Sequence, residues 1–132
     1  MAGTIVANTI NTDTGIFSTN NAYSGIAKAW VNFNPSSGSS AIIRSSFNVS
    51  SVTYVSAGIY TINFTTAFAD ANYNFVASCA QPAYVSAIAL GVGPLNGSYS
   101  TYVLAGSLKI IAKRSDTSAG DIDVVCVSVF SS

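Results

Sequence analysis

The residues that could carry out catalysis are few in this chain of 132 residues. It contains no His, and its five acidic residues are all Asp. General acid–base catalysis usually relies on His or on a carboxyl group with a shifted pKa. A Ser nucleophile needs a neighbouring base, and none of Lys28, Lys109 and Lys113 follows a Ser in the S-x-x-K spacing. We therefore predict a protein without enzymatic activity and without a cofactor.

Two groups of residues are candidates for a metal site or a covalent link. Asp116, Asp121 and Asp123 crowd one loop, but their spacing matches no calcium-loop signature. We interpret them as a solvated loop and predict no metal site. Cys79 and Cys126 lie in apolar, strand-like runs without a C-x-x-C spacing. Pairing between them stays open, although isolated cysteines are more often small buried hydrophobes.

Aromatic and aliphatic side chains are the better candidates for contacts with a partner. Trp30 lies on the less apolar face of its strand, where its ring could stack on a sugar or be buried between subunits; we favour the second interpretation. Tyr99 and Tyr102 flank loop positions. Ile5 and Ile10 are apolar positions in a polar N-terminal segment. These five residues form the predicted interface set.

The charge content excludes one class of partner. Only 8% of residues are charged and the net charge is zero, whereas a nucleic-acid-binding surface needs a basic field. We therefore predict no nucleic-acid partner.

Apolar residues make up 49% of the chain, which suggests either membrane insertion or burial between copies. Pro82, Gly93 and Pro94 interrupt the uncharged stretch 71–108 well below the length of a spanning helix, so we predict self-association without membrane insertion.

The elements that must position these residues are short strands. From residue 27 onward, side chains alternate between apolar and polar over runs bounded by Gly, Pro, Asn and Asp. No segment keeps a helical period over three turns. We predict an all-β protein, an antiparallel β-sandwich or jelly-roll-like domain. The predicted strands are 27–33, 42–48, 51–56, 60–64, 73–79, 85–92, 101–105, 107–113 and 122–130.

The predicted core follows from the same alternation. The final run is apolar on both faces, which is typical of a strand in the middle of a sheet. We expect the core and the interfaces to contain Trp30, Tyr60, Ile62, Phe64, Tyr73, Phe75 and residues 124–129.

The N-terminal segment differs in composition from the rest. Residues 1–25 are mostly Asn, Thr, Ser and Gly, with one predicted strand at 4–10, and they lack the basic start and apolar run of a signal peptide. We predict two parts, an extended arm over 1–25 and a β-sandwich domain over 26–132. A polar arm of this kind becomes ordered when it docks on a neighbour.

Two segments resemble a known group of proteins. The residues AKAWVNFN (27–34) and FNVSSVTYVSAGIYTINFTTAFADANY (47–73) are similar to small β domains of virion surface proteins of tailed phages, cyanophages included. The similarity covers residues 26–75 and retains the order of strands and turn residues. It implies a non-enzymatic structural protein located in the virion, of the tail-fibre type or of the capsid decoration (cement) type.

The resemblance also implies partners. It points to a homotrimer, to other virion proteins docked through the N-terminal arm, and to a host surface glycan as a further candidate partner. A carbohydrate-binding β-sandwich module is the alternative function, and it predicts an exposed pair of aromatic side chains.

Overall fold

The computed structural model describes residues 9–12, 15–18, 23–35, 41–80, 90–91, 99–112 and 122–131. For residues 9–12, 15–18, 90, 91 and 99 it describes the backbone alone. These parts of the chain form eleven β-strands, together with a 3-10 turn at Tyr99–Thr101. The strands are β1 (Thr9–Thr12), β2 (Gly15–Ser18), β3 (Ala29–Asn34), β4 (Ile42–Phe47), β5 (Val49–Ser56), β6 (Ile59–Phe64), β7 (Asn74–Ala80), β8 (Leu90–Gly91), β9 (Val103–Leu104), β10 (Ser107–Ala112) and β11 (Val124–Phe130).

The strands form two main sheets in which every described pairing is antiparallel. The first sheet has the order β4-β3-β11-β7. The second has the order β5-β6-β10-β8, and β9 pairs with β10 beside it. One hydrophobic cluster contains the inward side chains of both sheets. The predicted all-β, sandwich-like architecture is therefore confirmed.

Alternation along the strands places the core as the sequence predicted. Side chains on a strand point to opposite faces in turn, and β6 shows this directly, because Tyr60, Ile62 and Phe64 are buried and the residues between them are only partly covered. Tyr73 is buried as well, and Phe75 packs against the same cluster. Trp30, for which burial between subunits is predicted, lies outside this core on the opposite face of its strand.

Aromatic contacts join the two sheets. The rings of Phe33 on β3 and Tyr60 on β6 meet edge to face, with 5.4 Å between their centroids, an arrangement that adds to the stabilisation from burial. Just before β7, the Tyr73 hydroxyl lies 3.1 Å from the carbonyl oxygens of both Leu104 and Ser107. Tyr73 thereby links the start of a first-sheet strand to the β9–β10 turn of the second sheet.

The final strand occupies the middle of its sheet. β11 pairs with β3 on one side and β7 on the other, as its two apolar faces predicted. Val125, Val127 and Val129 are buried in the core, and the residues between them are half-buried on the opposite face.

The hairpin between β5 and β6 depends on one glycine. Gly58 has a φ of 73°, in the left-handed region that side chains with a Cβ disfavour. We expect Gly58→Ala to lower the free energy of unfolding by about 1–2 kcal/mol, measured by urea denaturation. Gly106→Ala is the matched control: Gly106 lies in another turn without a positive φ, and an added Cβ there meets open space. An equal loss in both variants would contradict this explanation.

Part of the predicted N-terminal arm is paired. β1 and β2 form a two-stranded antiparallel hairpin, with Thr9 opposite Ser18 and Thr12 opposite Gly15. Among the described residues, these two strands pair with each other and not with either main sheet. Most of the strand predicted over 4–10, and Ile5 with it, lies outside the described residues.

Candidate functional site: an aromatic sheet face and the cleft beside it

The outward face of the first sheet carries a row of large apolar side chains. The antiparallel register places Phe47 on β4 opposite Trp30 on β3, Trp30 opposite Ser128 on β11, and Ser128 opposite Val76 on β7. The exposed fractions are 56% for Phe47, 37% for Trp30 and 59% for Val76. These four residues span all four strands, and we call them the apolar row.

The next row on the same face is polar and uncharged. It runs through Ser45, Asn32, Cys126 and Ser78, which the register places opposite one another. Hydroxyl and amide groups can hydrogen-bond to a partner without the desolvation cost that a buried ion carries. The face therefore combines apolar contact area with neutral hydrogen-bonding groups.

Arg44 reaches over this polar row from the sheet edge. The pairing of β3 with β4 shifts between Asn32 and Phe33, which leaves Arg44 without a direct partner in the register. Its guanidinium donates to the backbone oxygen of Asp123 at 3.0 Å and to Oδ1 of Asn32 at 3.4 Å. Both acceptors are neutral, so the charge of Arg44 is held across the strands by carbonyl groups.

A cleft adjoins the apolar row at Phe47. One part has a volume of about 430 Å³ and is lined by Phe47, Asn48, Thr65, Thr66 and Lys28. A second part of about 290 Å³ shares three of these residues. The second part is also lined by Tyr23, Ala67, Phe68, Ala69 and Ser131. We call the two parts together the end cleft, which is open to solvent along the sheet end.

Asn48 shapes the wall of the end cleft. It has a φ of 53° between β4 and β5, a conformation that Asn adopts more readily than most residues. Its side-chain amide donates to the carbonyl oxygen of Thr66 at 3.1 Å and accepts from the Thr66 N–H at 2.8 Å. The Thr65 N–H donates to the Asn48 backbone oxygen at 3.2 Å. Asn48 therefore fixes the loop that follows β6.

Lys28 supplies the charge of the end cleft. Its ammonium group donates to the backbone oxygen of Tyr23 and lies 3.2 Å from the centroid of the Tyr23 ring. Neither partner group carries a charge, and an aromatic ring attracts a cation that lies over its face. The residues described as lining the cleft include no carboxylate. Lys28 is thus the one charged group among them.

The predicted interface residues differ in how much of each side chain is exposed to a partner. Trp30 lies at the centre of the apolar row. Tyr102 is only 7% exposed, and the Lys109 ammonium lies 5.4 Å from its ring centroid, so little of the Tyr102 ring is available to a partner. The backbones of Ile10 and Tyr99 are described but their side chains are not.

Sequence reasoning missed Phe47 and Val76. The alternation along β4 tells which residues share a face with Phe47 within that strand. The position of Phe47 beside Trp30 depends instead on the register between β3 and β4. The residues of the end cleft were missed for the same reason, since Asn48 and Thr66 are distant in sequence and meet through folding.

The two cysteines are free and lie on opposite faces of the first sheet. Cys79 is opposite Val125 on the core side, whereas Cys126 is opposite Ser78 on the outward face. Their side chains therefore point away from each other. Burial raises the pKa of the Cys79 thiol above its ordinary value, which favours the neutral thiol.

Metal ligands and membrane-spanning helices are the remaining features to consider in the described parts of the chain. No group of three His, Cys, Asp or Glu residues there could hold a metal ion. Asp123 is exposed, while Asp116 and Asp121 lie outside the described residues. No helix found in the described ranges is long and apolar enough to span a membrane.

Comparison with protein-family models, with curated proteins and with solved structures found no match.

Proposed function

We propose that this protein is a non-enzymatic structural component of a tailed-phage virion surface, in which three copies associate through the outward face of the first sheet. The observation that carries the proposal is the apolar row, in which three large apolar side chains, Phe47, Trp30 and Val76, are exposed on one sheet face, with Ser128 between Trp30 and Val76. Large apolar side chains exposed together on one face are typical of an interaction site. The resemblance of residues 26–75 to virion β domains supplies the setting, and a jelly-roll-like connection of the strands belongs to the same proposal.

Association between copies suits this face better than a charged partner. Interface cores are depleted in charged residues and enriched in aromatic ones. Trp30 and Phe47 provide aromatic area, and the neighbouring Ser and Asn residues provide neutral hydrogen-bonding groups. The low charge of the whole chain agrees with this arrangement, since only 8% of its residues are charged.

Two positions on the particle are compatible with the proposal. A receptor-contacting domain of a tail fibre and a capsid decoration (cement) protein both bury surface between copies. Immunogold electron microscopy of intact virions separates them: label at the tail tip supports the first position, and label over the head supports the second. Particles that carry no label at either position would overturn the assignment to the virion.

The N-terminal segment is proposed to dock the protein on a neighbouring virion protein. We expect deletion of residues 2–22 to abolish incorporation into particles, because the docking segment is lost, and to leave the thermal unfolding of the domain unchanged. Incorporation is measured by quantitative blotting of purified virions. The control is the full-length protein expressed at the same level, and normal incorporation of the deletion variant would refute docking through this segment.

A carbohydrate-binding module is the second candidate, and the exposed pair of Trp30 and Phe47 favours it. The two rings are opposite each other on neighbouring strands of one face, and aromatic faces can cover the C–H surface of a sugar. This candidate predicts saturable binding of a saccharide by the isolated protein, weakened by Trp30→Ala. Absence of saccharide binding would leave assembly as the function of this face.

A further inference from the structure

We propose that the end cleft binds an acidic saccharide, with a sugar carboxylate against the Lys28 ammonium and an apolar sugar face against the Phe47 ring. The inference rests on the carbohydrate-binding candidate, to which it adds a site and a ligand class. It does not depend on where the protein lies on a virion. Because Phe47 belongs to the apolar row as well as to the cleft, the saccharide is placed on a protomer whose apolar row is not covered by another copy.

The charge of the cleft selects for an anion. Lys28 lines both parts of the cleft, and the other residues described as lining it are neutral. The ammonium has three N–H donors, of which one is directed to the Tyr23 carbonyl oxygen. A ligand carboxylate can accept from a remaining donor, and hydrogen bonds between two ionised groups are stronger than neutral ones.

The hydroxyl groups of the cleft suit the hydroxyl groups of a sugar. The side chains of Thr65 and Thr66 are exposed, and neither hydroxyl takes part in a hydrogen bond with another described residue. Asn48 nevertheless holds the backbone of both residues in place. The backbone of both residues is therefore fixed and their hydroxyls are available to a ligand, so that little backbone entropy is lost on binding.

Phe47 gives the cleft an apolar wall. It lines the larger part of the cleft and is more than half exposed, and its ring adjoins the Trp30 position on the sheet face. A pyranose ring has an apolar C–H face and a polar rim. The Phe47 ring can cover the apolar face of the sugar. The polar groups of Lys28, Thr65 and Thr66 can bond to its rim.

An acidic peptide would match the same cleft less well. Extended peptides bind mainly by adding main-chain hydrogen bonds to a free strand edge. In this wall the Thr65 N–H, the Thr66 N–H and the Thr66 carbonyl oxygen are already bonded to Asn48. The groups that remain are side-chain hydroxyls, an ammonium and an aromatic ring, which favours a saccharide.

The test is a binding measurement on the full chain by saturation-transfer-difference NMR and calorimetry. The acidic probes are trigalacturonic acid, a glucuronic-acid disaccharide and a sialyl-lactose. The comparison probes are galactotriose, which lacks the carboxylates, and triglutamate, which has carboxylates without sugar rings. We expect at least one acidic saccharide to bind, with an affinity that falls as salt is added.

Variants locate the bound saccharide. Lys28→Met is expected to weaken binding at least tenfold, the loss typical of a hydrogen bond to a charged group, and Lys28→Arg is expected to retain most of it. Lys109→Met is the matched control, because Lys109 also lies over a tyrosine ring but on the second sheet. Thermal unfolding of each variant verifies that the fold is kept.

Each other result overturns the inference in a distinguishable way. Equal binding of galactotriose with no effect of Lys28→Met would retain a carbohydrate-binding function and remove the acidic-ligand site. Binding of triglutamate with the same affinity would assign the cleft to peptide carboxylates. If none of the saccharides binds, both the cleft site and the carbohydrate-binding candidate are wrong, and the assembly proposal stands.

Discussion

If the protein is the proposed homotrimer, Val76→Lys is expected to convert it into a monomer, lowering its mass in multi-angle light scattering from that of three protomers to that of one 13.6 kDa protomer. Val76 ends the apolar row on β7 and is 59% exposed in the single chain, so lysine fits there without disturbing the core. In the proposed trimer the same ammonium would be buried against apolar surface, at a cost of several kcal/mol. The free protomer should keep its circular dichroism spectrum.

The matched control for this variant lies on the other sheet. Val55 on β5 is 50% exposed, and Val55→Lys introduces the same side chain at a similar exposure away from the apolar row. We expect its mass to equal that of the unmodified protein. A monomeric unmodified protein would contradict the trimer itself, and an unchanged mass for Val76→Lys would move the interface to another surface.

Phe33→Ala is expected to have the largest effect on stability, lowering the free energy of unfolding by about 3–5 kcal/mol. Phe33 is fully buried on β3 and meets the Tyr60 ring across the two sheets. Its truncation removes apolar burial, leaves a cavity between the sheets and removes the edge-to-face contact. A loss of this size is a large fraction of the stability of a typical domain.

The decrease in the free energy of unfolding caused by Phe33→Ala is measured by denaturant unfolding in the Val76→Lys background. A monomeric background removes any contribution from dissociation. Phe47→Ala in the same background is the control, since Phe47 lies on the adjacent strand with most of its side chain in solvent. We expect Phe47→Ala to change the free energy of unfolding by about 0.5 kcal/mol or less. Similar losses in the two variants would contradict the division into a buried and an outward face.

Much of the fold could be predicted because strand patterns are local. Apolar residues occur at every second position of β6, at Tyr60, Ile62 and Phe64, and their burial on one face follows from this alternation. The hairpin at Gly58 depends on the conformational freedom of a single residue. The turn between β6 and β7 also depends on local residues, because the Asp70 carboxylate accepts a hydrogen bond from the Asn72 N–H, two residues later, at 2.7 Å.

The candidate site could be predicted only in part. The alternation along the predicted strand 27–33 was sufficient to put Trp30 on the face opposite the core. It could not predict that Phe47 lies beside Trp30, or that Tyr102 is buried under Lys109. Those placements depend on which strands become neighbours, and a single sequence contains no direct signal for that choice.

The sequence by itself determined that this protein is built from short antiparallel strands, which residues of each strand share a face, and that few of its residues are charged. The physical reason is that side-chain alternation and turn conformations are properties of a few consecutive residues. Only the tertiary structure decided the register between strands. That register aligns Phe47, Trp30, Ser128 and Val76 in one row. It also brings Asn48 to Thr66 across 18 positions of the chain, and so forms the end cleft.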